Sequence, residues 1–267
     1  MEISGRVAIV TGAGSGLGET MARRLAREHA IVALVDKSNA VLTLERELRA
    51  LNSTAVAFCG DVTDAAFRRR VFDDMSAYGV ARILIACAGV TGNGFLVARD
   101  KATGNFSLYD EAFYDSVVAI NQKAPTFWAA EMISRIAAFR TSRNLSDWSP
   151  QEEQQGVIVL FGSIVGDDGN LGQAAYGETK AALDNLRMTI NKEAGKHGVF
   201  ATIVKPGFVD TPMVRAVPPK VLDKIIAKIP IGRLLRPDEI ADVVLNMLRD
   251  PLHNSVQRID GGLKLAA

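Results

Sequence analysis

The sequence contains few of the residues that build metal sites or nucleic-acid surfaces. Only two cysteines and three histidines occur among its 267 residues, and His29, His197 and His253 lack the spacing of metal ligands. We therefore expect no metal site. Lysine and arginine total 31 against 30 aspartates and glutamates, a net charge of +1. This balance gives no indication of a nucleic-acid partner.

Long apolar runs are absent as well. The longest have the length of a strand, well short of the roughly 20 residues that a membrane helix needs. The first strand-like run begins at Val7, which leaves no room for a signal or transit peptide. Cys59 and Cys87 lie in or beside predicted buried strands, so we expect both to be reduced core residues. These features predict a cytoplasmic protein with no membrane partner.

What the sequence does contain is a regular alternation of strand-like and helix-like segments. Hydrophobic residues make up 48% of the chain, and no linker divides it, so residues 1–267 are predicted to form one domain. Apolar strands separated by helices predict an α/β fold with a parallel sheet covered on both faces. The predicted strands are 7–11, 31–36, 55–60, 83–87, 157–162, 200–205 and 257–260. The predicted helices are 16–28, 40–51, 65–77, 111–139, 174–195 and 237–249, with Asp64 as the cap of the third.

Ser163, Tyr176 and Lys180 are the strongest catalytic candidates. Tyr176 and Lys180 are four positions apart and therefore share one face of a helix. The ammonium is expected to lower the pKa of the phenol from its usual value of about 10. Ser163 follows the apolar run 157–161, so its hydroxyl stands at the end of a buried strand. Such a set can move a proton to or from an alcohol or carbonyl oxygen.

A glycine-rich turn near the amino terminus predicts a dinucleotide site. Gly12, Gly16 and Gly18 follow the first strand and open an amphipathic helix, which is the context that such a site needs. Glycine lets the backbone approach a pyrophosphate, and the start of the helix supplies amides and a dipole. A plain tight loop is the alternative interpretation. The second strand favours the nucleotide site, because it ends in Asp36.

Asp36 also predicts which nicotinamide cofactor is bound. A carboxylate at this position can accept hydrogen bonds from the ribose hydroxyls of NAD and would repel the 2′-phosphate of NADP. Position 15 is serine, and no cation precedes Gly16 to attract that phosphate. Lys37, the neighbour of Asp36, is a counter-argument. The balance favours NAD.

Together these features resemble the classical short-chain dehydrogenase/reductase family, over nearly the whole chain. The family's motifs recur in order at Asp61-Val62, Ala88-Gly89, Asn121, Pro206-Gly207 with Thr211, and Asp260-Gly261-Gly262. One departure is visible, since Ala86-Cys87 stands where the family usually has two asparagines that brace the sheet. The resemblance implies a single-domain, Rossmann-type doubly wound sheet of about seven strands and an oxidoreductase that acts on secondary alcohols and ketones.

The resemblance also implies roles for individual residues. Tyr176 would be the general acid or base, and Ser163 would polarise the substrate oxygen. Lys180 would hold the ribose hydroxyls and lower the pKa of the tyrosine, while Asn121 would hold a water that links Lys180 to solvent. The implied cofactor-binding residues are Gly12, Ser15, Gly16, Leu17, Gly18, Asp36, Asp61, Val62, Cys87, Ala88, Gly89, Tyr176, Lys180, Pro206, Val209 and Thr211.

The substrate follows less directly from the sequence. Residues 172–176, 260–263 and 87–89 are similar to type II 3-hydroxyacyl-CoA dehydrogenases, which also oxidise hydroxysteroids. Secondary-alcohol dehydrogenases and 3-oxoacyl reductases share many of these features and stay open as alternatives. A non-catalytic NAD sensor or scaffold is a further alternative. The presence of Ser163, Tyr176, Lys180 and Asn121 argues against it.

Three stretches of the sequence show no regular strand or helix pattern. Residues 91–110 and 208–236 are expected to border the substrate, the second including a lid helix, whereas 141–155 is expected to be a solvated loop. Asp167 and Asp168 are expected to shape a turn, and Lys123 to be solvated.

The two long helices carry apolar residues on more than one face, which predicts a further packing partner. Those residues are Ala119, Ile120, Phe127, Trp128, Ile133, Leu183, Leu186, Met188 and Ile190. The family resemblance implies that the helices pair between copies and that two such dimers form a homotetramer; the alternative is that the C-terminal segment covers them within one chain.

Overall fold

Seven parallel strands form the central sheet of the computed structural model, which describes residues 1–249 and 254–264. The strands in chain order are β1 (Val7–Thr11), β2 (Ile31–Asp36), β3 (Ala55–Cys59), β4 (Ala81–Ala86), β5 (Val97–Arg99), β6 (Phe106–Leu108), β7 (Gly156–Phe161), β8 (Val199–Pro206) and β9 (Val256–Ile259). The sheet order is β3-β2-β1-β4-β7-β8-β9. Strands β5 and β6 form a separate antiparallel hairpin.

The helices connect these strands and cover both faces of the sheet. They are α1 (Gly16–Arg27), α2 (Ala40–Ala50), α3 (Ala65–Met75), α4 (Glu111–Val118), α5 (Ala124–Ser142), α6 (Val165–Asp168), α7 (Ala174–Glu193), α8 (Pro212–Arg215), α9 (Pro219–Ile226) and α10 (Pro237–Arg249). Short 3-10 turns occupy Ser76–Tyr78 and Gly195–His197.

Two buried layers result from the alternation of side chains along the strands. In β1, Ala8 and Val10 pack with α1, α2 and α10, while Val7 and Ile9 pack with α3, α5 and α7. Successive residues of a strand point to opposite faces. Because both faces are covered, every residue of β1 is buried. The continuous apolar runs of the sequence have this cause.

The sheet reverses its direction of growth between β1 and β4. The chain first adds β2 and β3 on one side of β1, then returns to add β4, β7, β8 and β9 on the other. Ligands of open α/β sheets bind at the carboxyl ends of the strands beside such a reversal. The topology therefore places a crevice between the residues that follow Thr11 and those that follow Ala86.

This architecture confirms the predicted Rossmann-type doubly wound sheet of seven strands in a single domain. Each predicted strand of the sheet lies within two residues of its observed bounds. The β5–β6 hairpin was not predicted, and it lies in the irregular stretch 91–110. Its six residues are mostly exposed, so no buried alternation marks them in the sequence.

The predicted helix 111–139 is wrong in one respect, because a π turn over Ala119–Lys123 divides it into α4 and α5. A π turn inserts one extra residue and rotates the helix that follows. Asn121 lies in this turn and is buried at 1% exposure. Hydrophobic periodicity does not reveal such a turn, since the apolar residues continue through it.

One smaller expectation also needs correction. Cys59 is exposed rather than part of the core, because it ends β3 at the edge of the sheet, although both cysteines are free. The stretch 141–155 is mostly exposed, as a solvated loop should be, and two contacts anchor it. Buried Arg140 donates to the Ser146 carbonyl at 2.6 Å, and the Trp148 ring packs edge-on against Phe200.

Within the described residues, no helix combines the length and apolar character that crossing a bilayer requires. The same part of the chain holds no group of three or more metal-ligating side chains. His29 and His197 lie within it, and His253 lies outside it. Lys123 is exposed, whereas Asp167 and Asp168 form the end of α6 and take part in ion pairs.

Asp64 caps α3 as predicted, since its carboxylate accepts the Ala66 and Phe67 amides at 2.7 and 3.1 Å. We expect Asp64→Ala to lower the free energy of unfolding by about 1 kcal/mol, because two amides lose their acceptor. Urea unfolding measures the change. Asn39→Ala is the matched control, as Asn39 precedes α2 without a side-chain cap. Equal losses in the two variants would contradict the prediction.

Candidate active site

The glycine-rich turn between β1 and α1 forms one wall of the crevice. Gly12 has a φ of +72°, and a Cβ there would lie 2.8 Å from the Ala88 Cα. A Cβ on Gly18 would collide with the Gly12 carbonyl oxygen. Both positions therefore require glycine. The turn is tight enough to bring the start of α1 to the crevice.

The start of α1 can receive an anion. Ser15 precedes the helix but makes no side-chain cap, and Gly16, Leu17 and Gly18 line the crevice. The first amides of a helix lack partners within it, and the dipole adds positive potential. A turn with no room for a Cβ at Gly12 or Gly18, next to the uncapped amides of α1, fits the pyrophosphate of a dinucleotide.

Asp36 connects the glycine-rich turn to β2. Its Oδ2 accepts the Gly14 amide at 2.9 Å, and its Oδ1 accepts the Ser38 amide at 2.8 Å. Asp36 and Lys37 both line the crevice. A carboxylate oxygen can accept more than one hydrogen bond, so Asp36 retains the capacity to accept ribose hydroxyls.

The segments after β3 and β4 complete the cofactor side. Asp61 accepts the amide and hydroxyl of Thr63 at 2.8 and 2.7 Å, and these hydrogen bonds lower the pKa of its carboxyl. The Val62 carbonyl accepts the indole N–H of buried Trp128 at 2.9 Å. Cys87 follows β4, and burial raises the pKa of its thiol to about 12. The thiol is therefore neutral at physiological pH.

Ser163, Tyr176 and Lys180 lie together at the other end of the crevice. The Lys180 Nζ lies 5.6 Å from the centre of the Tyr176 ring and donates to the Phe161 carbonyl at 2.8 Å. Burial lowers the pKa of Lys180 to about 8. The Ser163 Oγ accepts the Val165 amide at 3.2 Å, which leaves the hydroxyl proton free for another acceptor.

The pKa of Tyr176 is raised rather than lowered, contrary to expectation. Burial of the phenol is the main cause, and the neighbouring Cys87 acts in the same direction. A hydrogen bond with Ser163 opposes the rise. The Lys180 ammonium is directed to the Phe161 carbonyl. In this structure Ser163 is therefore the group that favours the ionised tyrosine.

Asn121 braces the site from behind. Its Nδ2 donates to the Val90 carbonyl at 2.9 Å and to the Thr179 Oγ1 at 3.3 Å, and its Oδ1 accepts the Val90 amide at 2.9 Å. The side chain thus ties the segment after β4 to α7, which carries Tyr176. The π turn places Asn121 where both can be reached. Its role in holding a water stays a prediction.

Most of the predicted site residues line one crevice. They are Gly12, Ser15, Gly16, Leu17, Gly18, Asp36, Asp61, Val62, Cys87, Ala88, Gly89, Tyr176, Lys180 and Thr211. The other four do not line it. Ser163 and Asn121 are buried, Pro206 ends buried β8, and Val209 pairs with Leu235. A cofactor-binding role for Pro206 and Val209 stays a prediction.

The crevice includes residues that the sequence did not place in the site. These are Lys37, Gly60, Val90, Ile120, Phe161 and Met213. Gly60 follows β3 and Phe161 ends β7, each close to a predicted site residue, so strand ends were a usable signal for them. Met213 has no such signal, because it lies in the short helix α8.

Comparison with known proteins decides the family. The family model described as short chain dehydrogenase matches residues 6–221. The chain is a short-chain dehydrogenase. The dog (Canis lupus familiaris) protein named (3R)-3-hydroxyacyl-CoA dehydrogenase is 33% identical over 254 residues, covering 91% of this chain and 89% of its own. The human (Homo sapiens) protein of that name is 34% identical, with coverage of 89% and 86%.

Two further relatives span almost the full length of this short-chain dehydrogenase. The 3-oxoacyl-(acyl-carrier-protein) reductase FabG of Thermotoga maritima is 30% identical and covers 98% of this chain and 99% of its own. The crystal structure of 3-hydroxyacyl-CoA dehydrogenase type-2 from Mycobacterium avium superposes with a TM-score of 0.85 at 27% identity, covering 98% and 97%.

The similarity to type II 3-hydroxyacyl-CoA dehydrogenases predicted from the sequence is therefore confirmed. This short-chain dehydrogenase is an oxidoreductase that acts on CH–OH groups of a small-molecule substrate with a nicotinamide cofactor.

Proposed function

We propose that this short-chain dehydrogenase uses NAD to interconvert a secondary alcohol and a ketone, with Tyr176 as the acid–base group. One observation carries the proposal: Tyr176 and Lys180 line the crevice that the glycine-rich turn and Asp36 also border, and Ser163 forms a hydrogen bond with Tyr176. A reacting carbon beside the tyrosine would then lie within reach of a nicotinamide whose pyrophosphate rests on α1.

Each residue of this set has a separate task. Tyr176 takes the proton of the alcohol or returns it to the carbonyl. Ser163 has one hydroxyl proton: it donates to the ionised tyrosine in the free enzyme and to the substrate oxygen once substrate is bound. Lys180, with a pKa lowered to about 8 by burial, holds the ribose hydroxyls. The bound cofactor accepts or supplies the hydride.

Replacing Tyr176 tests the proposed chemistry. Tyr176→Phe should leave NAD binding nearly intact and lower turnover by about 10²-fold, the effect of losing a general acid–base group. The measurement is NADH absorbance with a panel of secondary alcohols, hydroxyacyl-CoA thioesters and hydroxysteroids. Tyr78→Phe, at a tyrosine 46% exposed, is the control. Turnover in Tyr176→Phe close to wild type would overturn the role, and a wild-type protein that binds NAD without turning over any substrate would favour the sensor or scaffold.

Asp36 supports NAD as the cofactor. Its carboxylate lines the crevice and accepts hydrogen bonds from two backbone amides. Moving it away from a 2′-phosphate would break both hydrogen bonds. Lys37 also lines the crevice. Asp61, whose carboxyl pKa is lowered chiefly by its hydrogen bonds with Thr63 and to the smallest extent by Lys37, provides a second negative charge on this side.

Removing the carboxylate tests the cofactor assignment. Asp36→Ala should weaken NAD binding and strengthen NADP binding, because the ribose loses an acceptor and the phosphate loses a like charge. Fluorescence titration with both cofactors measures the ratio of the two Kd values. Asp36→Asn keeps an oxygen for the ribose and should lose less NAD affinity. Lys37→Ala should leave the preference for NAD in place. A wild type that binds NADP more tightly would contradict the assignment.

A 3-hydroxyacyl-CoA or a similar bulky apolar alcohol is the proposed substrate. The names of the dog, human and Mycobacterium avium relatives support it. The structure adds an apolar surface, since Phe95, Leu96 and Leu171 are all more than half exposed. Their segments meet where the Gly94 amide donates to the Gly172 carbonyl at 2.8 Å, four residues before Tyr176.

The alternatives remain a 3-oxoacyl reductase, as the Thermotoga maritima relative is named, or a small-alcohol dehydrogenase.

The proposed substrate loop 208–236 contains α8 and α9, and half-buried Ile225 packs with the cluster that includes Ile164 and Tyr176. This contact supports the proposal that α9 is a lid over the substrate.

A cytoplasmic location is also proposed, and the two free cysteines agree with it.

A homotetramer is the proposed assembly. Phe127 on α5 and Met188 on α7 are 46% and 41% exposed, so each helix offers apolar surface to a second copy. Trp128, Leu183 and Ile190 do not contribute, because they lie in the core. The expected apolar surface is therefore smaller than the sequence suggested.

Light scattering at micromolar concentration tests the assembly. The expected mass is four times the 28.7 kDa of one chain. Phe127→Glu combined with Met188→Glu should shift the mass towards the monomer, because burying two carboxylates opposes association. Val221→Glu, at an exposed position of α9, should leave the mass unchanged. A wild-type mass of one chain would contradict the proposal.

A further inference from the structure

A buried lysine lies next to the turn that carries Ser163. Lys205, on β8, donates to the Asp167 Oδ1 at 2.5 Å and forms an ion pair with Asp184. Its side chain is only 7% exposed. Burial by itself would lower the pKa of Lys205, but the hydrogen bonds to the two carboxylates outweigh burial, and the pKa is raised. Lys205 is therefore a charged bridge between two carboxylates.

These carboxylates belong to the two elements that carry Ser163 and Tyr176. Asp167 ends the turn that begins at Ser163, within which the Val165 amide donates to the Ser163 Oγ and the Asp167 amide to the Ile164 carbonyl. Asp184 lies eight positions after Tyr176 in α7, two turns along the same helix face. Lys205 thus connects the serine's turn to the tyrosine's helix.

Close packing holds α6 against α7. The two helices meet at Gly166, where a Cβ would lie 2.8 Å from the Ala181 nitrogen, and buried Val165 lies in the cluster that includes Tyr176. The Lys205 bridge adds an ion pair at the far end of α6, at Asp167. Arg258 on β9 adds a second one, with two hydrogen bonds to Asp168 at 2.8 and 3.2 Å.

We propose that Lys205 is a positioning residue that bridges Asp167 and Asp184 and thereby holds the Ser163 hydroxyl against the Tyr176 hydroxyl. The proposal rests on the proposed acid–base role of Tyr176 and explains how that group is tuned. It assigns to Lys205 no contact with substrate or cofactor.

The consequence is measurable at Tyr176. The groups that act on it are Ser163 from the β7–α6 turn, Cys87 from the segment after β4, and Lys180 from its own helix, whose Nζ lies over the ring. Of the first two, Ser163 lowers the pKa of the tyrosine, while Cys87 raises it. Displacing Ser163 should raise that pKa by about half to one pH unit, the size of one lost hydrogen bond.

Asp184→Asn separates positioning from a simple field effect. Removing a negative charge would lower the pKa of Tyr176 through space, whereas loosening α6 would raise it. We expect a rise. The readout is the ultraviolet titration of the tyrosinate, taken as the difference from the same variant carrying Tyr176→Phe. This titration needs no substrate, so it tests the positioning role of Lys205 even if the proposed reaction is wrong. Asp184→Glu should restore the wild-type titration.

Two further variants complete the test. Asp167→Asn removes the other end of the bridge and should give the same rise in the pKa of Tyr176. This variant keeps the proposal testable if Asp184→Asn does not fold. Arg140→Met is the matched control, because Arg140 is a buried cation paired with Glu152 near the start of β7, the opposite end of that strand. It should lower the melting temperature and leave the Tyr176 titration unchanged. An unchanged or lowered Tyr176 pKa in the folded aspartate variants would overturn the proposal, as would a rise in Arg140→Met.

Discussion

The contact between the first turn and the segment after β4 is the constraint on which the site depends. The Thr11 hydroxyl donates to the Ile85 carbonyl at 3.4 Å and accepts the Ala88 amide at 3.2 Å. Gly12 approaches the Ala88 backbone so closely that no Cβ fits. These contacts close the gap between β1 and β4, where the sheet reverses direction. The family's bracing asparagines are absent here, and the Thr11 hydroxyl provides a brace at this position.

The fold and the cofactor side were predictable because their causes are local. Strands buried on both faces give continuous apolar runs in the sequence, and a turn with no room for a Cβ at Gly12 and Gly18 requires glycine at those two positions. Asp64 accepts an amide two residues away, and Asp36 accepts an amide just beyond the end of the neighbouring strand β1. Local causes of this kind leave patterns that a single sequence is enough to show.

Other features depend on contacts that spacing does not encode. The π turn at Asn121 leaves the apolar pattern intact and is defined by hydrogen bonds to Val90, 31 positions away. The pKa of Tyr176 follows from burial and from Ser163 rather than from its distance along the helix to Lys180. Pro206 and Val209 match a motif of the family but are not among the residues that line the crevice. Sequence order shows which residues are neighbours in a motif, but not which of them face the ligand.

The pairing of β1 with β4 also has a consequence for how the chain folds. Strand β1 can pair with β2 as soon as α1 has formed, but its other edge must wait for β4, whose Ile85 is 74 positions beyond Thr11. Contacts of such separation slow folding, because a long loop must close before they form. During synthesis, one edge of β1 therefore keeps its backbone N–H and C=O groups unpaired while α2, β3 and α3 are made. Exposed strand edges of this kind are where nascent chains pair wrongly.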